Sequence, residues 1–277
     1  MRYFLQFAYC GTEFHGSQSQ PAGGTVQDVM EDAMATIFRS PIPLTFAGRT
    51  DAGVHAEMMY AHFDTPLLPD ECAQRVYRLN RFLPPPIAIY NLFPVAPDAH
   101  ARFDALARTY HYRITTRKNP FQQSLRTQVR SGLNYPLMNE AARYLMGTQD
   151  FSSFCRTHTD VKNKICNITT AEWRIENDHE AVFVITADRF LRNMVRAIVG
   201  TLFEVGYAKI TPVAFADLIT RQNRSLAGDS APAQGLYLTN IQYPHYHLPL
   251  IVPVSPNCDK LRKKTYQTSI NYTFWRV

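Results

Sequence analysis

Hydrophobic residues in the first third of the chain follow two spacings, which predict strands alternating with helices. RYFLQFAY (2–9) alternates as a half-buried strand does. TVQDVMEDAMATIF (25–38) places its apolar residues on one helical face, with Thr25 able to cap the start. The remaining elements predicted here are strands at 43–47, 56–64 and 87–95 and a helix at 69–82. The order β-α-β-β-α-β is that of the ferredoxin-like fold.

The rest of the chain repeats this alternation more loosely. The pattern predicts a strand at 107–116, a helix at 136–147, a hairpin of 168–176 with 180–188, helices at 190–206 and 212–221, and a strand at 235–243. The expected fold class is α+β: two ferredoxin-like α/β halves forming one continuous, mostly antiparallel sheet, with helices on one side and a central cleft. We divide the chain into an N-terminal half (1–104), a C-terminal half (105–243) and a tail (244–277) with no assigned structure.

The composition is that of a basic globular protein. The 277 residues include 29 Lys and Arg against 23 Asp and Glu, a net charge of +6, and 45% of them are hydrophobic. The charge favours a polyanionic partner, most simply nucleic acid, and the hydrophobic content excludes a disordered chain. No apolar run approaches the roughly 18 residues of a membrane span, and the N-terminus lacks the apolar core of a signal peptide. A cytoplasmic location without membrane contact is expected.

The cysteines argue against a disulfide framework, because they are scattered and form no C-x-x-C pair. They stand at Cys10, Cys72, Cys155, Cys166 and Cys258. Cys155, His158 and Cys166 can be considered as zinc ligands, but zinc sites usually show two tight pairs. Ordinary thiols and no metal are therefore expected.

The stretch GRTDAGVHA (48–56) is the first candidate site. A glycine-rich turn often contains an aspartate that bonds its own backbone, and for an arbitrary G-x-x-D-x-G this interpretation is preferred. Here the loop joins two predicted strands and offers Arg49, Asp51 and His55 within a few residues. Its small residues also leave room for a ligand against the backbone.

Arg192 and Arg196 stand four residues apart in the predicted helix 190–206, so we expect them to share one face. Apolar residues surround Arg196 on both sides in the sequence. One interpretation is a helix-edge cation with its stem packed and its head in water. The other is a partly buried arginine that needs a carboxylate partner such as Asp51, whose ionised form the cation would favour.

Tyrosines in the predicted strand 107–116 are the third candidate. Strand alternation places Tyr110 and Tyr112 on one face and His111 on the other. The two tyrosines fit a core face, and they also fit a platform on which an unstacked base sits. The spacing is compatible with both.

Five motifs occur in an order that resembles the TruA-type tRNA pseudouridine synthases: AGRTDAGVHA, HARFDALARTYHYRI, DFSSF, FLRNMVRAIVGTL and GLYL. The resemblance runs from about residue 2 to residue 243. It implies roles for individual side chains. Asp51 matches the catalytic aspartate, and Arg196 matches the arginine that ion-pairs with it. Tyr110 matches the tyrosine that stacks on the target base, Arg49 the arginine that displaces the target nucleotide, and Leu236 an apolar residue packed in the pocket.

The resemblance also implies an activity. TruA-type enzymes are homodimers that isomerise uridine to pseudouridine in the anticodon stem-loop of tRNA (positions 38–40 of the tRNA), without a cofactor. One alternative is a synthase of the same fold that acts on other tRNA positions or other RNA. Another alternative is a non-catalytic RNA-binding protein, against which the intact Asp51, Tyr110 and Arg196 count.

Some positions depart from the family pattern. The family commonly reads G-W-Q where this chain has Gly16, Ser17 and Gln18, so an aromatic residue is missing there. Residues 157–167 and the tail match weakly, which leaves the substrate range less defined than the reaction type. His55 follows the motif, but no chemical role is assigned to it.

Overall fold

The computed structural model describes residues 1–156 and 163–244. The N-terminal half contains the six expected elements: β1 (Arg2–Tyr9), α1 (Val26–Phe38), β2 (Thr45–Phe46), β3 (His55–Asp64), α2 (Pro69–Phe82) and β4 (Ile87–Pro94). Thr25 caps α1 as predicted, because its side chain accepts a hydrogen bond from the Asp28 amide. The second strand is shorter than predicted, with two residues in place of five.

The C-terminal half is more complex than predicted. Its elements are β5 (Ala107–Thr115), β6 (Thr127–Gln128), α3 (Tyr135–Arg143), β7 (Gly147–Asp150), β8 (Ile165–Ile175), β9 (Glu180–Ala187), α4 (Met194–Gly206), α5 (Pro212–Arg221) and β10 (Leu236–Gln242). The strands β6 and β7 were not predicted, because their sequences TQ and GTQD are short and polar and lack the alternation of apolar and polar residues that indicates a strand. The predicted tail lies outside the described residues except for its first residue.

Two predicted helix boundaries are wrong. The helix expected at 136–147 ends at Arg143, and Gly147 takes a left-handed φ of 88° where β7 begins. The helix expected at 190–206 begins only at Met194, because Asn193 is left-handed with a φ of 65°. Arg192 therefore lies before α4 and shares no helical face with Arg196.

One open sheet of ten strands joins the two halves, in the order β4-β1-β3-β10-β5-β9-β8-β7, with β2 on β3 and β6 on β5. The pairing is antiparallel except between β3 and β10 and between β5 and β6. Each half has the ferredoxin-like order, β4-β1-β3-β2 in the first and β10-β5-β9-β8 in the second. The expected α+β class with a largely antiparallel sheet is confirmed.

Two hydrophobic cores lie on this sheet, and β10 contributes to both. The first core packs the N-terminal half and includes Leu238 and Ile241 of β10, whereas the second packs the C-terminal half and includes Leu236. The motif loop, residues 47–54 between β2 and β3, ends at Val54, which belongs to the second core. The halves are therefore interlocked at β10, and the boundary at residue 105 stays a prediction. Within the described part of the chain, no helix is long and apolar enough to cross a membrane.

Candidate active site

The motif loop lies at a fork of the sheet, the gap beside the short pairing of β3 with β10. These strands share two parallel pairs, His55 with Tyr237 and Ala56 with Leu238. Strand β1 occupies the other edge of β3, so β2 must pair farther along the same edge that β10 uses. Residues 47–54 connect β2 to β3 across this fork. Asp51 is thereby placed where the two halves meet.

Thr50, the residue before Asp51, is held by hydrogen bonds at its amide, its carbonyl and its hydroxyl group. The Thr50 amide donates to Ser17 Oγ over 2.8 Å, and the Ser17 amide donates to the Thr50 carbonyl over 3.1 Å. The Thr50 hydroxyl lies 2.8 Å from the Tyr9 hydroxyl. Ser17 is completely buried, so water cannot replace these bonds. Ser17, which stands where the family commonly has an aromatic residue, therefore holds the loop by hydrogen bonds.

The loop turns back through its own backbone and leaves the carboxylate of Asp51 pointing at the other half. The Val54 amide donates to the Asp51 carbonyl over 3.1 Å, and Gly53 supplies the left-handed φ of 78° that the turn requires. On the far side, a Cβ at Gly11 would lie 2.0 Å from the Val54 carbonyl oxygen. Only glycine permits that approach, so the segment that begins at Gly11 lies flush against the end of the loop.

Two arginines of the C-terminal half face the Asp51 carboxylate. Arg196 Nη1 lies 3.5 Å from Asp51 Oδ2, and Arg192 Nε lies 3.8 Å from Asp51 Oδ1. The side chain of Arg196 is 21% exposed, whereas that of Arg192 is 59% exposed. The structure thus favours the partly buried interpretation of Arg196. Both arginines reach Asp51 although they share no helical face.

Residues 229–231 cross α4 and fix the position of Arg196. Arg196 Nε donates to the Ala231 carbonyl over 2.7 Å, and the Ala231 amide donates to the Arg196 carbonyl over 2.9 Å. The segment can lie this close because a Cβ at Gly200 would be 1.7 Å from the Asp229 carbonyl oxygen. Asn193 Nδ2 donates to Ser230 Oγ over 2.6 Å, which holds the left-handed residue at the start of α4.

The two tyrosines of β5 have different environments on one face. Tyr112 is fully buried, and its hydroxyl bonds the Pro232 carbonyl. Tyr110 is half-buried and packs edge-on against Phe190, with ring centroids 5.1 Å apart. Burial, with a contribution from the charge of Asp51, raises the pKa of Tyr110 to about 12. Tyr112 is therefore a core residue, and Tyr110 is a neutral ring close to Asp51.

The remaining predicted site residues lie to either side of this centre. Leu236 is 6% exposed, pairs with Tyr112 and belongs to the second core. Arg49 is exposed on the motif loop. The structure thus brings Asp51, Arg196 and Tyr110 together, with Leu236 beside Tyr112 on the neighbouring strand and Arg49 exposed.

Arg108 is a residue that sequence reasoning missed. Its guanidinium group donates to four carbonyl oxygens, those of Ala47, Arg102, Ala105 and Asp188. Ala47 begins the motif loop and Asp188 follows β9, so Arg108 ties the loop to the other half. Burial lowers the pKa of Arg108. The signal in the sequence is an arginine on the same strand face as Tyr110 and Tyr112.

Within residues 1–156 and 163–244, no group of three or more His, Cys, Asp or Glu side chains is arranged to hold a metal ion. Cys10, Cys72 and Cys166 are free thiols and Cys155 is buried, while Cys258 and the considered ligand His158 lie outside the described residues. The arrangement provides one carboxylate, two guanidinium groups and one aromatic ring. In this arrangement the carboxylate can attack a substrate or remove a proton, and the two guanidinium groups stabilise its negative charge.

Comparisons with known proteins identify the class to which this fold and site belong. A family model described as tRNA pseudouridine synthase matches residues 141–244, which include β8, β9, α4 and β10. The match therefore contains Arg196 and Leu236 but not the loop that carries Asp51.

Relatives of almost the full length define the family more closely. "tRNA pseudouridine synthase A" of Bacteroides fragilis is 52% identical over 246 residues, 88% of this chain and 96% of the relative. The protein of that name from Porphyromonas gingivalis is 51% identical over 245 residues, 88% and 97% of the two chains. The one from Bacillus subtilis is 40% identical over 248 residues, 88% and 99%. The chain therefore belongs to the tRNA pseudouridine synthase A family, a family of isomerases.

Proposed function

We propose that this protein isomerises uridine to pseudouridine in tRNA, with Asp51 as the catalytic residue. The observation that carries the proposal is the placement of Asp51 in the fork of the sheet, where its carboxylate lies 3.5 Å from Arg196 and 3.8 Å from Arg192 of the other half. The names of the relatives support the substrate class.

The chemistry needs only what this site contains. The bond between N1 and C1′ breaks, the base turns, and a bond between C5 and C1′ forms, while C5 loses a proton and N1 gains one. Asp51 can attack the sugar, attack the base or remove a sugar proton, and each route begins from a carboxylate. Arg196 and Arg192 stabilise its negative charge in a cleft from which a bound base would exclude water.

The target base must leave its stack to reach Asp51, which costs a few kcal/mol. Stacking on Tyr110 returns about 1–3 kcal/mol of that free energy. In this proposal Arg49, which is exposed on the motif loop, takes the position of the displaced nucleotide. Leu236 forms the apolar floor against which the base packs.

The finer assignment follows the family resemblance. We propose the anticodon stem-loop as the target, the homodimer as the active form, and no cofactor. The net charge of +6 supports a polyanionic partner.

Affinity for tRNA should therefore weaken steeply between low and moderate salt, because bound phosphates release their counterions. An affinity for tRNA that does not change over this range of salt contradicts a phosphate-binding surface. Light scattering of the purified protein tests the homodimer.

Mapping pseudouridine in tRNA from cells with and without this chain tests the proposal directly. Loss of pseudouridine from the anticodon stem-loop, restored by the intact chain but not by the Asp51→Asn variant, is the expected result. Loss at other tRNA positions or in other RNA supports the second candidate, a synthase of different target. Unchanged pseudouridine in every RNA, with tRNA binding retained, indicates a non-catalytic RNA-binding protein.

A further inference from the structure

His55 lies in the motif, but neither the reaction nor the resemblance gives it a role. It is 2% exposed. Its Nδ1 lies 3.0 Å from the Gly11 amide, and its Nε2 lies 3.1 Å from the Gln234 carbonyl oxygen. Its ring stacks on that of Tyr237, with centroids 4.5 Å apart and planes at 25°. One side chain thus contacts three segments of the chain.

The two hydrogen bonds define the protonation state of this ring. A backbone amide can only donate and a carbonyl can only accept, so Nδ1 must be the acceptor and Nε2 must carry the hydrogen. The ring is therefore neutral. Burial lowers the pKa of His55, and Arg113 lowers it further, while backbone hydrogen bonds at Gln234 and Ser124 and the charge of Glu57 oppose this shift. Both nitrogens are engaged, so His55 has no proton to exchange with a substrate.

The bonded segments are the ones that frame the site. Gly11 lies flush against Val54, the last residue of the motif loop. Gln234 stands two residues before Leu236, in the short 3-10 turn Ala233–Gly235. That turn touches the loop as well, since a Cβ at Gly53 would lie 3.2 Å from the Ala233 Cβ. His55 stands where all three meet, at the start of the short pairing of β3 with β10.

We propose that His55 is a positioning residue for the reaction. Through its two hydrogen bonds it holds the end of the Asp51 loop in register with residues 233–236 of the other half. Asp51 and Leu236 then face the same base. This inference rests on the proposed function, because it assumes that the base occupies the space between these residues. Small displacements of reacting groups are costly in rate, and a loop bonded on both sides avoids them.

Three variants separate the contributions of the ring. His55→Phe keeps the stacking on Tyr237 and removes both hydrogen bonds. His55→Asn keeps an acceptor near the Nδ1 position, and His55→Gln keeps a donor near the Nε2 position. For each we would measure the single-turnover rate with saturating enzyme, the Kd for tRNA, and unfolding in urea.

His62 provides a matched control. It is 7% exposed, and its Nδ1 accepts a hydrogen bond from the Ala101 amide over 3.1 Å, away from the motif loop. His62→Phe should destabilise the fold in a similar way but leave the rate of the folded enzyme unchanged. His55→Phe should lower that rate at least about 10-fold with Kd within about twofold, and Asn and Gln should each restore part of it.

Other outcomes overturn the inference. If the unfolded fraction of His55→Phe accounts for its whole loss of rate, His55 is merely structural. Equal losses in His55→Phe and His62→Phe, or a loss confined to tRNA affinity, lead to the same conclusion. If His55→Phe does not fold, His55→Asn and His55→Gln are judged by the same criteria. Absence of pseudouridine formation by the parent protein contradicts the proposed function instead.

Discussion

The two halves share a strand order but connect their second and third strands differently. In the C-terminal half, β8 (Ile165–Ile175) has eleven residues and pairs with β9 from Ile168 to Ile175, and residues 176–179 close the hairpin. In the N-terminal half, β2 (Thr45–Phe46) has two residues, and residues 47–54 form a loop before β3. The motif loop therefore occupies the place of a tight hairpin turn.

The shortened strand has two consequences. Strand β8 covers the edge of β9 almost completely, whereas β2 leaves the edge of β3 open at His55 and Ala56. Strand β10 pairs with this open edge and joins the halves into one sheet. The same shortening thus creates both the loop that carries the acid and the contact that brings the arginines of the other half to it.

The largest expected effect is the loss of chemistry in the loop. Asp51→Asn keeps the shape of the side chain but removes the carboxylate, so single-turnover product formation should fall roughly 10⁴-fold or more. Affinity for tRNA should stay nearly unchanged. Asp178→Asn, in the exposed turn of the other half, is the matched control and should react at the parent rate. A parent-like rate for Asp51→Asn would remove this residue from the mechanism.

The arginines of the C-terminal half should differ in effect. Arg196→Met should lower the single-turnover rate about 10²-fold, as for loss of one preorganised donor, because this side chain is partly buried and bonded to Ala231. Arg192→Met should cost only several-fold, because its side chain is 59% exposed and screened by solvent. Rates measured with tRNA saturating check this ranking. Equal losses of rate in the two variants would show that burial of Arg196 and its hydrogen bond to Ala231 do not increase its contribution to the reaction.

The anchoring of the two connections should differ in stability. Ser17→Ala leaves the buried Thr50 amide without its acceptor, which should cost about 1–3 kcal/mol of unfolding free energy. Asn177→Ala removes a similar bond, in which the His179 amide donates to Asn177 Oδ1, and one from Asn177 Nδ2 to Glu180 Oε2, in an exposed turn where water replaces them. Its cost should be clearly smaller. Urea unfolding of both variants tests the difference, and equal costs contradict a specially held loop.

The smallest expected effect is a dependence of stability on pH. Burial, together with the facing charges of His100 and Arg2, lowers the pKa of His62 to about 4, while Asp64 and Asp104 oppose this shift. Because the folded state holds this ring neutral, its contribution is full above the ordinary histidine pKa of about 6.5 and is lost as the pH falls towards 4.

Unfolding free energies at pH 7.5 and 5 check this dependence. The parent should lose more stability between these two pH values than His62→Asn does. His179→Asn, which removes an exposed histidine of the other half, should behave as the parent. A parent and a His62→Asn variant with the same pH dependence would show that the buried ring is not responsible.

The sequence by itself determined much of the element order and the chemistry. Alternation and helical spacing predicted thirteen of the fifteen α-helices and strands in the described residues, some with wrong bounds, since burial of one face leaves a local pattern. The loop 48–56 and Arg196 were identified as candidates, and the two are in contact. The exceptions are informative: the helix predicted from residue 190 begins at Met194, because Asn193 is held left-handed by Ser230, 37 residues away.

Only the tertiary structure decided how these parts combine. The pairing of β3 with β10, the hold of Ser17 on Thr50, and the bond between His55 and Gln234, which are 179 residues apart, leave no periodic signal in the chain. Such contacts depend on which strand edges remain open after each half has folded, and on where the absence of a side chain, as at Gly11, lets two backbones touch. Local spacing encodes the elements, whereas the geometry of the site comes from packing between residues far apart in sequence.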